Sequence, residues 1–186
     1  MARKLDTILV IDLEATCWQD EPPIGQTAEI IEIGLCELDV QTGERESPRS
    51  IFVKPERSDL SEFCIQLTGI TPDMLEEALS FQDACMILQT EYLSHQRTWA
   101  SYGDYDRRQF TGQCQAMGVP YPFGPSHINV KNLLALQLGL KREVNLVKAT
   151  ELLGLVFEGR VHRGVDDAWN IAAVLQRVLL TGRRQG

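Results

Sequence analysis

The sequence predicts an α/β fold with a mixed sheet, and three features of its pattern support this prediction. The run ILVIDLEA near the N-terminus is almost continuously apolar, which is typical of a central strand buried on both faces. Two further strand-like stretches follow after short polar connections, as in an antiparallel meander. From residue 81 onward, helical patterns alternate with a short apolar strand, which is the order expected of an α/β protein.

The first three predicted elements are strands. We expect them over residues 7–16, 28–39 and 50–54. The second stretch, AEIIEIGLCELD, partly alternates apolar and polar residues, and a turn through residues 42–44 leads to the third. Pro55 ends the third strand, because proline cannot donate a hydrogen bond to a sheet.

Helical patterns dominate the remainder of the chain. Short helices broken by Gly69 and Pro72 are expected within residues 58–78, with Pro72 at the first position of the second helix. The segment RTWASYG, residues 97–103, predicts a short buried strand, and the three prolines within residues 119–127 predict a loop. Further helices are expected over residues 81–93, 106–118, 129–138, 145–153 and 165–180.

Size and composition indicate one globular domain over residues 1–186. Apolar residues make up 44% of the chain and charged residues 24%, and no apolar run approaches the roughly 20 residues of a membrane-spanning helix. Asp6 and Asp12 interrupt the apolar N-terminal stretch, so we expect a cytoplasmic protein without a membrane partner. The five cysteines have no C-x-x-C spacing, which favours reduced thiols over a disulfide framework or a zinc site.

Acidic residues recur where predicted strands end and helices begin. The three places are Asp12 and Glu14 in the first strand, Asp104 and Asp106 after the strand at 97–103, and His162 followed by Asp166 and Asp167 at the start of the last helix. Residues two apart in a strand share a face, so Asp12 and Glu14 should repel each other at the end of a buried strand. This pattern indicates that a positive charge is bound there.

Carboxylates from three distant segments could together hold hard divalent cations. Oxygen ligands favour Mg²⁺ or Mn²⁺ over zinc, and two such ions roughly 3.5–4 Å apart form the clamp used for in-line attack on a phosphodiester. A histidine with an ordinary pKa near 6.5 suits removal of a proton from the attacking water. Each piece alone also fits a solvated strand edge, a helix cap or a structural histidine. The net charge of −8 argues against a large nucleic-acid footprint, although not against an enzyme that grips a few nucleotides.

Taken together, the motifs resemble those of the DEDDh-type 3′→5′ exonucleases, whose marks are a D-x-E strand, a middle aspartate and a terminal H-x4-D. The chain is most similar to the ERI-1-like exoribonuclease branch. The resemblance rests on DLEATCW, EIIEIG, FVKP, LSEFCIQLTGIT, GDYD, the IN of HINVK, and HRGVDDAWNIA, across about residues 8–175. It implies an RNase H-like fold with a central mixed five-stranded sheet flanked by helices, and hydrolysis assisted by two Mg²⁺ or Mn²⁺ ions.

The resemblance also implies roles for individual residues. The metal ligands would be Asp12, Glu14, Asp106 and Asp167. His162 would be the general base, and Asp104 is the alternative to Asp106. The family spacing from His162 selects Asp167, which leaves Asp166 to serve the start of the helix.

Substrate contacts follow from the same resemblance, which implies that the terminal base lies between apolar side chains. The expected contacts are backbone at Ala15 and Thr16 to the terminal hydroxyl, Phe63 and Tyr105 stacking on the base, Leu67 and Ile70 as walls, His162, and Arg163 on a neighbouring phosphate. A plain core role is the alternative for Phe63, Leu67 and Ile70. Stacking tolerates any base, so we expect little sequence preference.

The predicted function is therefore a metal-dependent 3′→5′ exonuclease. Its expected substrates are single-stranded RNA or DNA 3′ ends, above all RNA or short oligonucleotides, from which it would release nucleoside 5′-monophosphates. The alternatives are a DNA proofreading exonuclease with the same site chemistry and a catalytically silent nucleic-acid-binding module. Cys17 close to the acidic pair could be a nucleophile, but a small, partly buried structural residue is the simpler interpretation, and no histidine partner is suggested.

Overall fold

A five-stranded sheet forms the centre of the computed structural model, which describes residues 4–183. Strand β1 (Lys4–Ala15) pairs antiparallel with β2 (Ile30–Asp39), and β2 pairs antiparallel with β3 (Arg45–Phe52). The predicted meander is confirmed, although β3 begins five residues earlier than the sequence pattern indicates and already ends at Phe52.

The other half of the sheet is parallel. Strand β4 (Arg97–Ser101) pairs in parallel with β1, and β5 (His127–Asn129) pairs in parallel with β4, which gives the order β3-β2-β1-β4-β5. The mixed five-stranded sheet is thus confirmed. For the segment that forms β5, the sequence predicts a loop and the start of a helix, because a strand of three residues has no periodicity and is defined only by its pairing with β4.

Helices cover both faces of the sheet. Within residues 4–183 they are α1 (Glu62–Thr68), α2 (Pro72–Leu75), α3 (Phe81–Thr90), α4 (Tyr105–Met117), α5 (Val130–Gln137), α6 (Leu146–Leu152) and α7 (Gly164–Arg183). The predicted start of the second short helix is confirmed, since Thr71 is the N-cap and Pro72 the first helical residue. None of the helices in this part of the chain is long and apolar enough to cross a membrane.

Strand β1 is buried on both faces, and its two faces contact different helices. Leu9, Ile11 and Leu13 belong to a core with α3 and α4. Ile8 and Val10 belong to a second core with α5, α6 and α7. Since side chains alternate along a strand, Asp12 and Glu14 continue the face that α7 covers. The acidic pair therefore lies where the second core ends.

The N-terminus of α7 lies directly on β2. A Cβ atom added to Gly34 would be 1.8 Å from the carbonyl carbon of Gly164. Only glycine at position 34 allows the two backbones to approach so closely. This contact brings the first turn of α7 to the same edge of the sheet at which β1 and β4 end.

Candidate active site

One cleft of about 480 Å³ contains all five residues expected to be catalytic. They are Asp12 and Glu14 at the end of β1, Asp106 in the first turn of α4, Asp167 in the first turn of α7, and His162 in the turn that precedes α7. The carboxyl ends of the parallel strands β1 and β4 meet at one edge of the sheet, so the chain that leaves β4 enters α4 beside β1.

Hydrogen bonds between these elements hold the middle aspartate. The carboxylate of Asp106 accepts a hydrogen bond of 3.0 Å from the backbone N–H of Leu13, which lies between the two acids of β1. Asp104 instead forms an ion pair of 2.9 Å with Arg107 and is not part of the cleft wall. The geometry thus brings Asp106, and not Asp104, to the other acids.

The turn that carries His162 is tied to α7. The backbone N–H of His162 donates to Asp167 Oδ2 at 2.8 Å, and Asp167 N–H donates back to the carbonyl of Arg163 at 2.8 Å. His162 adopts a φ of +64°, a left-handed conformation that few non-glycine residues take. Asp166 accepts a hydrogen bond of 2.8 Å from the N–H of Arg160, so it orders the turn from outside the cleft.

Three of these side chains are close enough to share a cation. One potential ligand atom from each of Glu14, His162 and Asp167 lies within 4.8 Å of the others. Glu14 and Asp167 are buried, whereas His162 is exposed at the mouth of the cleft. The chain therefore has a group of side chains that can hold a divalent metal ion.

The carboxyl groups of the cleft resist ionisation. Burial, with repulsion from Asp167 added, raises the pKa of Glu14 to about 8. Burial also raises the pKa of Asp167 to about 7 and that of Asp106 to about 6. The pKa of Asp12 lies well above its usual range because of burial and repulsion from Asp106 and Asp167. A divalent cation would reverse these effects, since it supplies the opposite charge that the cleft lacks.

Several predicted substrate residues line the same cleft. Ala15, Leu67 and Tyr105 form part of its wall together with His162. Tyr105 is half-exposed, and it lies beside Asp106 at the start of α4. Burial and the charge of Asp106 raise the pKa of its hydroxyl to about 12. Tyr105 is therefore an un-ionised aromatic side chain in the wall of the cleft.

The other predicted contacts do not form the cleft wall. The Ile70 side chain is fully buried in a small core with Ile31 and Cys64, because Gly69 ends α1 in a left-handed conformation and turns the chain inward. This corrects the expectation that Ile70 walls the pocket. Phe63 is 36% exposed on α1 and lies outside the cleft-lining set.

Thr16 and Arg163 are also not among the residues that line the cleft. The backbone N–H of Thr16 donates to the carbonyl of Glu29 at 2.8 Å, so it is not free to bind a substrate hydroxyl. The Arg163 side chain points toward the sheet, where Nε lies 3.5 Å from Glu32 Oε2 and the guanidinium lies 5.5 Å from the centre of the Phe52 ring. These contacts do not support the expected roles of Thr16 and Arg163 in substrate binding.

Part of the cleft wall consists of residues that the sequence patterns did not indicate. The additional lining residues are Leu13, Cys17, Tyr102, Asn145, Leu146, Val147 and Val161. Tyr102 could have been found, since it lies near the end of the predicted strand that leads to the acidic motif. The segment 145–147 has no signal of its own, because only the tertiary fold brings it near β1. Burial raises the pKa of the Cys17 thiol to about 12, which disfavours the thiolate that a nucleophile requires.

A comparison with known protein families identifies this arrangement. A sequence model described as Exonuclease (RNase_T) matches residues 9–175, nearly the whole chain. The chain belongs to this exonuclease family. The resemblance stated from the motifs is thereby confirmed, as is the fold that it implies.

Individual relatives agree with this membership. Human 3'-5' exoribonuclease 1 is 34% identical over 95% of the chain and 53% of its own length, and human ERI1 exoribonuclease 3 is 31% identical over 94% and 54%. The crystal structure of the nuclease domain of 3'hExo, described as a DEDDh family member bound to rAMP, has a TM-score of 0.86 at 33% identity. The match covers 95% of this exonuclease-family chain and 93% of the 3'hExo nuclease-domain chain. The chain spans about half the length of the curated relatives that it matches.

Proposed function

We propose that this chain is a metal-dependent 3′→5′ exonuclease that shortens RNA or short single-stranded oligonucleotides and releases nucleoside 5′-monophosphates. The observation that carries the proposal is the convergence of four carboxylates and His162 from three segments in one cleft. The names of the relatives, 3'-5' exoribonuclease 1 and ERI1 exoribonuclease 3, support RNA as the substrate class.

The donor set fits two Mg²⁺ or Mn²⁺ ions. We assign Asp12, Glu14, Asp106 and Asp167 as their ligands, because hard divalent ions prefer carboxylate oxygens and because burial and mutual repulsion raise the pKa of these acids. When bound, such ions would lower the pKa of a water molecule and neutralise negative charge on the phosphate.

His162 is the proposed general base. Its ring is exposed at the mouth of the cleft, close to Glu14 and Asp167, where water and substrate enter. The neutral imidazole would accept a proton from the attacking water as its oxygen bonds to phosphorus. The bond from phosphorus to the 3′ oxygen of the preceding nucleotide would then break with its electron pair left on that oxygen, which would take a proton from solvent to become the new 3′-hydroxyl. The last nucleotide would leave with a 5′-phosphate.

The wall of the cleft would hold the terminal nucleotide. Tyr105 offers a ring face and Leu67 an apolar surface, and stacking between such groups does not depend on the identity of the base. Ala15 at the end of β1 is the proposed backbone contact for the terminal hydroxyl. We therefore expect trimming with little sequence preference.

The experiment uses RNA and DNA oligonucleotides of matched sequence, labelled at either end, with Mn²⁺ or Mg²⁺. The 5′-labelled RNA should give a ladder of one-nucleotide steps, and the 3′ label should appear at once as a mononucleotide. Asp12→Ala should abolish the ladder, whereas the control Asp104→Ala should retain it. His162→Ala should lose most of the rate and still bind Mn²⁺ in a calorimetric titration. An absent ladder, or one unaffected by Asp12→Ala, would remove the proposal.

A length series of both nucleic acids, measured at several salt concentrations, would define the preferred substrate. A higher rate on DNA, above all on mispaired duplex ends, would favour a proofreading enzyme over an exoribonuclease. Two expectations stay predictions: that residues 1–186 form one exonuclease domain, and that the protein is cytoplasmic.

A further inference from the structure

Glu32 is a buried carboxylate outside the cleft-lining set. It lies in β2 directly opposite Glu14, and none of its side chain is exposed to solvent. A buried acid is costly unless charged or hydrogen-bonding groups surround it, so its partners indicate what it does. Those partners are the Ser50 hydroxyl, the backbone N–H of Gly164 at 3.1 Å, and Arg163 Nε at 3.5 Å.

Two of the three partners belong to the turn that carries His162. Gly164 and Arg163 are the two residues that follow the proposed base. Both contacts are made to the same oxygen of Glu32, Oε2, so a single side chain of the sheet holds the turn. The same backbone segment also packs closely against Gly34, which lies two residues after Glu32 in β2.

The opposite side of the turn is anchored independently. Arg160 donates hydrogen bonds of 3.1 and 3.2 Å to the carbonyls of Gln66 and Leu67 at the end of α1. His162 lies between these anchors, in a left-handed backbone conformation that persists only where the surroundings impose it. The ring itself is exposed, so its direction depends on the backbone that carries it.

We propose that Glu32 is a positioning residue, which holds the Arg163–Gly164 backbone so that the ring of His162 faces the carboxylates of the cleft. This inference rests on the proposed function, because it assigns His162 the reacting role. Arg163 contributes as the counter-ion of Glu32 and not as a ligand of substrate phosphate.

The variant Glu32→Gln keeps the size of the side chain and an oxygen acceptor but loses the charge that pairs with Arg163. Its kcat should fall about tenfold while KM stays within about twofold, since misplacement of a catalytic group affects the reacting step more than substrate binding. Arg163→Met should also lower kcat with little change in KM, whereas a phosphate ligand would raise KM. The matched control is Glu29→Gln, a buried acid of the same chain segment that accepts hydrogen bonds from the backbone of residues 56 and 57.

A double-mutant cycle separates positioning of His162 from a general structural effect. In a His162→Ala background, Glu32→Gln should lower kcat by less than about twofold, because the group that it positions is already gone. An equal loss in both backgrounds would overturn the inference, as would a folded Glu32→Gln protein with wild-type kcat or one whose main defect is lost Mn²⁺ affinity.

A readout that needs no activity keeps the inference separate from the proposed function. The amide proton of Gly164 should exchange faster with solvent in Glu32→Gln and in Arg163→Met, and the NMR signals of the His162 ring should shift. If the wild-type chain proved inactive on every oligonucleotide, the proposed function would fail, and the exchange data would still decide whether Glu32 holds the turn. Unchanged exchange and unchanged ring signals in both variants would refute the positioning role.

Discussion

Replacing Glu14 with glutamine should stabilise the metal-free protein at alkaline pH. Glu14 is 8% exposed, and burial beside Asp167 and Glu32 raises its pKa from 4.5 to about 8. The folded state therefore binds the Glu14 proton more tightly than the unfolded state does. Stability from this group is complete below about pH 4.5 and falls as the pH rises to about 8.

The magnitude follows from the pKa. A tenfold change in proton affinity is worth about 1.4 kcal/mol, so ionised Glu14 costs the metal-free fold up to about 5 kcal/mol at pH 8.5 and below about 1 kcal/mol at pH 5. Glutamine carries no charge and removes this cost. With Mn²⁺ present, wild type should be more stable than Glu14→Gln, because only wild type has the Glu14 carboxylate as a ligand for the ion.

Urea unfolding in EDTA at pH 5 and pH 8.5, followed by circular dichroism, tests this reasoning. We expect Glu14→Gln to exceed wild type by a few kcal/mol at pH 8.5 and to differ little at pH 5. Glu46→Gln, on the exposed face of β3, is the control and should change stability little at either pH. A Glu14→Gln protein that is equally or less stable than wild type in EDTA at pH 8.5 would refute the electrostatic argument.

Two further changes test the seat of α7 and the wall of the cleft. Gly34→Ala should destabilise the fold by at least about 3 kcal/mol in urea unfolding and abolish activity, since its Cβ would lie 1.8 Å from the backbone of Gly164. The control Gly112→Ala has nothing within 4 Å of its Cβ, so it should be neutral or stabilising by up to about 1 kcal/mol. A well-folded, active Gly34→Ala protein would contradict the packing. Tyr105→Ala should raise KM for RNA about tenfold and leave Mn²⁺ affinity unchanged, with Tyr105→Phe near wild type; an unchanged KM would exclude stacking.

The acids could be recognised from the sequence by their combination, although each alone also fits a strand edge or a helix cap. Asp12 and Glu14 interrupt a buried strand, and Asp167 opens a long amphipathic helix. Strand and helix periodicity predict where such segments end, and the ends of parallel strands share an edge. The convergence of these acids could therefore be anticipated from their order in the chain.

The same reasoning failed where position depends on tertiary contacts alone. Strand β5 has three residues and follows a proline-rich loop, so nothing local marks it. The cleft wall at 145–147 comes from a helix start that packs near β1 only in the folded chain. Glu32, in contrast, had a usable signal, because an acid in the apolar run EIIEIG raises the same question as the acids of ILVIDLEA.

The face of β1 that contacts α7 is apolar in one part of the strand and acidic at its end. Its even face packs Ile8 and Val10 against α7, and the same face then presents Asp12 and Glu14 to the first turn of that helix. Helix α7 therefore stabilises the sheet along its apolar stripe while its N-terminus brings Asp167 into repulsion with the acids of β1. Because both effects act through one rigid helix, relief of the repulsion by a cation must strengthen the packing of α7 on the sheet. Metal binding and global stability should thus be linked in this fold.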